Sequence, residues 1–240
     1  MNNKKYEILM DEENTIEFEG HTLHRIKALK DFNDVKKGDI GGFVENDNNL
    51  SHPGDCWIYD DAKAMDNSRM YNDSEMHDNS IVCGYSRMYN NSRMYDNSIM
   101  CDYSKMRGYS KIYGDSRIYN NSIMYDYSEI HDKSVMYGDS EMHGNSRLYG
   151  DSELNNKFKL YGKLFSKVDD FIEIQNPQGR LVTCVRKGNE ILYNVGCQNE
   201  IDEETFRLRI KNEDGGLKQN PHRIYYYKII EMAKLYFGVK

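Results

Sequence analysis

The chain of 240 residues has only three prolines and one tryptophan, and no apolar run near the roughly 18 residues that a membrane-spanning helix needs. A membrane helix is therefore excluded. It has no CxxC pair, no glycine-rich phosphate loop and no nucleophile elbow, so the common zinc-ribbon, nucleotide-hydrolase and serine-hydrolase signatures are missing. Lys4 and Lys5 are followed by no apolar segment, so a secretory signal is not expected and the chain reads as cytoplasmic. The five cysteines then read as thiols rather than as a disulfide framework. A basic excess is missing too: net charge is -7, which disfavours general binding to duplex nucleic acid.

What is present is unusual in kind. Twenty tyrosines and 13 methionines accompany a mean hydropathy of -0.85, so the core cannot be built from long Leu, Ile and Val runs. Charge is uneven along the chain. Residues 1–57 carry 7 Lys/Arg against 12 Asp/Glu, residues 58–160 carry 12 against 16, and residues 161–240 carry 13 against 11.

A six-residue repeat explains the methionines. Every sixth residue from Ile58 to Leu160 is aliphatic or Met, as in Met70, Met76, Val82, Met88, Met94 and Met100. Four places after each, from Ser68 through Ser152, stands a Ser; two places after, from Asp66 through Gly150, stands Asp, Asn or Gly. Ser68 and Met70 are two apart, so they share one face of a strand, while Arg69 and Tyr71 face the other way. Asp, Asn and Gly tolerate positive φ, so each short strand ends in a sharp corner. A period of six excludes a helix.

This pattern resembles the hexapeptide repeat of left-handed parallel β-helices, with three hexads and 18 residues per coil. The resemblance covers about residues 58–160, with a degenerate start near Asp39-Ile40-Gly41-Gly42-Phe43-Val44. It implies a mainly β fold of about five to six coils whose aliphatic column fills the interior. The expected organisation is an N-terminal β cap with an opening coil over 1–57, the β-helix over 58–165, and an α+β module over 166–240. The stretch from Lys30 to Val44 and on through Leu50-Ser51-His52-Pro53-Gly54-Asp55-Cys56-Trp57 is similar to the opening of a group of bacterial, phage and prophage hexapeptide-repeat proteins, some labelled acetyltransferases with no demonstrated activity. In the tail, 171–174, 180–185 and 190–195 read as strands, followed by helices beginning at Asp202 and near Pro221, a βββαα module. Phage and prophage relatives of the same group are expected to carry such a module.

Residues 18 apart stack, which sorts the outward side chains onto three faces. The first carries Ile81, Ile99 and Val135 beside Cys83, Cys101, Tyr119 and Tyr137, an apolar stripe that predicts an interface with an identical subunit (a dimer or trimer) or with the C-terminal segment. The second carries Arg69, Arg87 and Lys105 beside Tyr71, Tyr89, Arg107 and Tyr125, a cationic and aromatic set able to hold acidic groups and stack on flat ones. The third alternates in charge and is expected to be solvated.

Catalysis is not expected from these residues, and neither a metal nor a cofactor is called for. The acyltransferases of the hexapeptide family use a His at a subunit boundary, but His77, His131 and His143 occupy the slot otherwise held by Tyr, which makes them ladder members. His77 and His131 lie three coils apart, about 14 Å, too far to share an ion. Cys197, after the third tail strand, reads as a packed small residue. The expected function is that of a non-catalytic protein, encoded by a phage or mobile element, that binds a host protein and inhibits a defence or nuclease system in the host cytoplasm. An acyltransferase-like enzyme and a binder that sequesters a small molecule or nucleotide are the alternatives.

Overall fold

The computed structural model describes residues 4–148, 153–154, 158–162, 171–196, 198–211 and 222–239. Within them the repeat forms a parallel β-solenoid. Its strands are mostly two residues long, such as Arg69–Met70, Glu75–Met76 and Ile81–Val82, one for each hexad. Register is strictly 18 through the regular coils: Arg87 pairs with Lys105, Ile99 with Arg117 and Lys111 with Glu129. The first face carries seven parallel strands from Ile40–Val44 to Glu153–Leu154, hence six turns.

The interior follows from the two inward positions. Each inward residue from Ile58 through Met142 is 0% exposed, and so is each Ser from Ser68 to Ser146. A buried side chain of this size stabilises by about 1.5–3 kcal/mol. The low hydropathy of the chain therefore coexists with a continuous core. Ser hydroxyls along the column donate to the carbonyl three residues back, for example Ser122 Oγ to Tyr119 O at 2.8 Å and Ser140 Oγ to Tyr137 O at 2.9 Å.

The corners confirm the reading of Asp, Asn and Gly. Asp66, Asn72, Asp78, Asn90, Asp96, Asp102, Asn120, Asp126 and Asp132 hold φ between 57° and 63°. Their side chains also link coils: Asp78 Oδ2 accepts the Asp96 N–H at 3.0 Å, and Asp102 Oδ2 accepts the Asn120 N–H at 2.9 Å. At Gly114 (φ 68°) an added Cβ would lie 2.5 Å from the Asp132 carbonyl oxygen, so close coil approach requires glycine there.

The opening turn departs from the 18-residue rule. Val44 stacks on Ala64 and Leu50 on Met70, both 20 residues apart, whereas Ile58 stacks on Met76 at 18. The two extra residues lie between Leu50 and Ile58, in the stretch with Pro53 and Gly54. Parallel stacking thus begins at Phe43–Val44, in the degenerate opening coil that precedes the regular hexads.

Four strands build the N-terminal end: β1 (Tyr6–Ile8), β2 (Thr15–Phe18), β3 (His21–Ala28) and β4 (Ile40–Val44). Strands β1, β2 and β4 each pair with β3 in antiparallel fashion, and β4 also pairs in parallel with Lys63–Ala64. Lys5 is fully buried here. Its ammonium donates to the Gly54 and Cys56 carbonyls at 3.1 and 2.6 Å.

The C-terminal module continues the second face. Strand Phe171–Gln175 adds antiparallel to Lys159–Gly162, followed by Leu181–Lys187, Glu190–Val195 and Gln198–Ile201. The last is a fourth tail strand beyond the three expected. Two helices, α1 (Glu203–Lys211) and α2 (Ile224–Phe237), pack on this sheet. Asp202 caps α1 by accepting the Thr205 N–H at 2.7 Å, and α2 ends at left-handed Gly238. Tyr225 of α2 meets Phe158 edge-on at 5.5 Å, which places the helix against the last described coil.

Candidate functional site

The outward columns lie where an 18-residue period puts them. On the second face Arg69 and Arg87 are exposed and Lys105 is half-buried, in register with Ile123, Glu141 and Lys159 on the following coils. The neighbouring column is a stack of flat groups. Tyr71 and Tyr89 lie 5.2 Å apart and 9° from parallel, the Arg107 guanidinium sits 5.3 Å from the centre of the Tyr89 ring, and Tyr125 stacks on His143 at 4.6 Å. Arg69 Nη1 also reaches the Tyr71 hydroxyl at 3.4 Å. The structure brings all seven expected residues onto one surface.

Three cations elsewhere on the rod are neutralised, while Lys111, Arg117 and Lys133 meet no carboxylate among the described residues. Arg93 meets Glu75 at 2.8 Å, Arg147 meets Glu129 at 3.0 Å and Lys159 meets Glu141 at 2.9 Å. In each case a His two residues after the Glu donates to the same carboxylate: His77, His131 and His143 lie 3.2, 3.3 and 2.8 Å away. Burial alone would raise the Glu141 carboxyl, but hydrogen bonds from Lys159 and His143 outweigh it and hold Glu141 below the usual carboxylate range. Arg69, Arg87, Lys105 and Arg107, by contrast, have no carboxylate within ion-pair distance among the described residues. Like charges one coil apart, about 4.8 Å, repel one another and favour an anion between them.

The three His rings are held between neighbours. His77 stacks between Tyr59 and Tyr95 at 4.4 and 4.9 Å, and His143 between Tyr125 and Tyr161 at 4.6 and 4.8 Å. His131 stacks on Tyr113 at 4.7 Å. Both faces of His77 and His143 are covered, as expected for ladder members. Buried thiols offer no nucleophile: Cys56 and Cys184 both have their pKa raised by burial. Cys197 lies outside the described residues.

On the first face Ile81, Cys83, Ile99, Cys101, Tyr119, Val135 and Tyr137 are all half-buried. The N-terminal hairpin reaches one end of the stripe: Leu23, Phe43 and Met65 form a small core with Ile16, Phe18, Ile81 and Cys83 packed against it. Beyond Phe18 an open groove of about 640 Å³ continues over Ile81, Ile99, Arg117 and Val135. The expected coverage by a C-terminal segment is not what meets this end; the hairpin of β2 and β3 does.

One expectation fails here. Cys83 and Cys101, read as thiols, are joined as a disulfide with their Cα atoms 4.6 Å apart. An 18-residue period places any two cysteines of one column on adjacent coils, within bonding reach. Disulfides are rare in a reducing cytosol, so the cytoplasmic reading loses the support it drew from cysteine usage. No helix of the described residues is long and apolar enough to cross a membrane.

A second cluster was not legible in the sequence. His21 Nδ1 lies 3.2 Å from Glu45 Oε1, and His21 Nε2 lies 3.7 Å from Asp66 Oδ1. These residues are more than 20 positions apart, and only the folding of the hairpin onto the first coils unites them.

A stretch of 38 residues is 47% identical to the uncharacterized acetyltransferase YdcK of Escherichia coli K12, covering 16% of this chain and 12% of that protein. No family model matches the chain. With the solenoid geometry, the match is that of a hexapeptide-repeat β-helix.

Proposed function

We propose that this chain is a non-catalytic binding protein whose second face engages an acidic surface of a partner protein. The observation that carries the reading is the gathering of four cations without carboxylate partners among the described residues, Arg69, Arg87, Lys105 and Arg107, in two adjacent columns of one face. The stacked Tyr71 and Tyr89 rings beside them supply rigid contact area at little entropic cost. The resemblance to phage and prophage repeat proteins supports a host protein as the partner, with inhibition of a defence or nuclease system as the outcome. The outward Ile81, Ile99 and Val135 in the first-face groove support self-association as a dimer or trimer.

The test is chemical crosslinking of the full chain in host extract, followed by mass spectrometry. The wild-type chain is expected to capture a protein through the second face, and the R87A/R107A double variant to lose it. Equal capture by both would refute the assignment of this face.

A nucleotide-binding reading has one observation of its own, a cleft of about 270 Å³ lined by Tyr85, Arg87, Tyr103, Lys105, Asn121 and Ile123. A nucleotide panel in a thermal-shift assay separates it from protein binding, since a bound ligand raises the melting temperature. The name of the YdcK relative supports an acyltransferase reading; a melting temperature unmoved by acetyl-CoA removes it.

A further inference from the structure

We infer that His21, Glu45 and Asp66 form a binding site for a divalent metal ion of the zinc type, which fastens the N-terminal hairpin to the first coils of the rod. One ligand atom from each residue falls within a sphere where all three lie no more than 4.8 Å from one another. The residues come from three separate places. His21 opens β3, Glu45 follows β4 directly, and Asp66 stands at a solenoid corner with φ 57°. A ligand set assembled from three segments depends on the fold and is absent from the unfolded chain.

The orientation of the carboxylates favours an ion. Glu45 Oε2 accepts the Asp66 N–H, and Asp66 Oδ2 accepts the Gly84 N–H at 2.9 Å. One oxygen of each carboxylate is thus held by the backbone, and the other is turned toward the imidazole, Oε1 of Glu45 facing Nδ1 and Oδ1 of Asp66 facing Nε2. Outer-sphere bonds of this kind fix ligands in place at metal centres. One imidazole nitrogen with two carboxylate oxygens is a set that zinc accepts, the remaining position being filled by water. The three side chains keep 28%, 31% and 37% of their surface exposed, so an ion has an access route and water has room to complete the shell.

Bond lengths of about 2.0–2.2 Å in a tetrahedral shell place the ligand atoms about 3.4 Å apart. From separations of up to 4.8 Å, closing the site takes movements of up to about 1.4 Å and a turn of the imidazole that brings one nitrogen to both carboxylates, in side chains that are partly exposed. The neutralised charge is favourable as well: two carboxylates and a neutral imidazole present -2 to the ion. The consequence is structural. His21 pairs in register with Phe18 across the hairpin, and Phe18 lines the end of the first-face groove. An ion held at His21 fixes that end wall.

The experiment uses the chelator-treated full chain and zinc chloride in isothermal titration calorimetry, with cobalt(II) absorption as a second readout. Wild-type protein is expected to bind one zinc ion per chain and to show cobalt bands in the visible range. H21A and D66N are expected to bind at least about tenfold more weakly, the scale on which support of a metal site is lost. D66N retains an oxygen for the Gly84 N–H and a residue type that tolerates positive φ, so the corner survives; matching melting curves without metal check this. Hydrogen exchange over residues 15–24 is expected to slow on zinc addition in the wild type and to stay unchanged in both variants. R87A/R107A is expected to bind zinc as the wild type does, which keeps this result separate from the second-face reading. Absence of saturable zinc binding, or equal binding by wild type, H21A and D66N, overturns the inference.

Discussion

At the scale of single residues, the two inward positions do different work. Met, Ile and Val supply apolar area, while Ser fills a space too small for them and is satisfied only at some coils. Ser122 Oγ bonds the Tyr119 carbonyl at 2.8 Å, but Ser98 Oγ is buried with no partner among the described residues. Replacing Ser122 by Ala should therefore cost about 1 kcal/mol, and replacing Ser98 by Ala should be neutral or stabilising by up to about 1 kcal/mol. Urea unfolding of the two variants decides this; equal losses would mean the unbonded hydroxyl has found a water. A sharper contrast is expected at Asp78, which holds φ 57° and accepts the Asp96 N–H. D78N keeps both properties and should melt within a degree or two of the parent. D78A loses both and should be destabilised by about 2 kcal/mol, combining left-handed strain with a lost hydrogen bond.

At the scale of strands and their neighbours, the pairing of Glu with a His two residues on and a cation on the next coil ties coils together electrostatically. The Glu141 carboxyl is held below its unfolded value, so its contribution is fully present above about pH 4.3 and is lost as pH falls through the folded value. E141Q should be less stable than the parent at pH 7, and the two melting temperatures should converge as the pH is lowered toward 3. A gap that stays constant across that range would remove the carboxylate from the account. The strand Phe171–Gln175 has another task, since it pairs with Lys159–Gly162 and continues the second-face sheet. A chain ending at residue 162 leaves the outer edge of Lys159–Gly162 open, and exposed strand edges recruit other chains. Light scattering should show self-association of this truncation that grows with concentration and is absent when the module is retained.

How much the sequence discloses differs between these elements. The period of six, the inward Met column and the stacked outward columns are local and strictly spaced, so Arg87 above Lys105 or Tyr71 above Tyr89 can be read directly. The thiol expectation failed at Cys83 and Cys101 because composition argues about compartments, whereas column position argues about distance. The strand Gln198–Ile201 is short and polar at its start, with no alternation to betray it. The hairpin covering Met65 and Ile81, and the meeting of His21 with Glu45 and Asp66, depend on how an irregular segment folds back, for which no period exists.

At the scale of the whole molecule, the three faces have three characters: a groove with an Ile and Val floor and polar rims, a face whose first half is cationic and aromatic, and a face of alternating charge. The groove makes a separate claim. Ile99 and Val135 point outward, so I99E/V135E should leave the melting temperature nearly unchanged while converting an oligomer to a monomer in sedimentation velocity. A wild-type chain that sediments as a monomer at all concentrations would show that the groove is not a self-association surface.

The constant 18-residue coil separates length from pattern. Removing one whole coil would shorten the rod by about 4.8 Å and leave every column continuous. Removing a single hexad would instead turn the distal half by one third of a revolution, carrying the unpaired cations of one half onto a different side from their stacked neighbours. Copying errors in units of 18 thus change reach alone, whereas errors in units of six scramble what the surface displays. A lineage built on this repeat can adjust its span to a partner in steps of one coil without rewriting any contact residue.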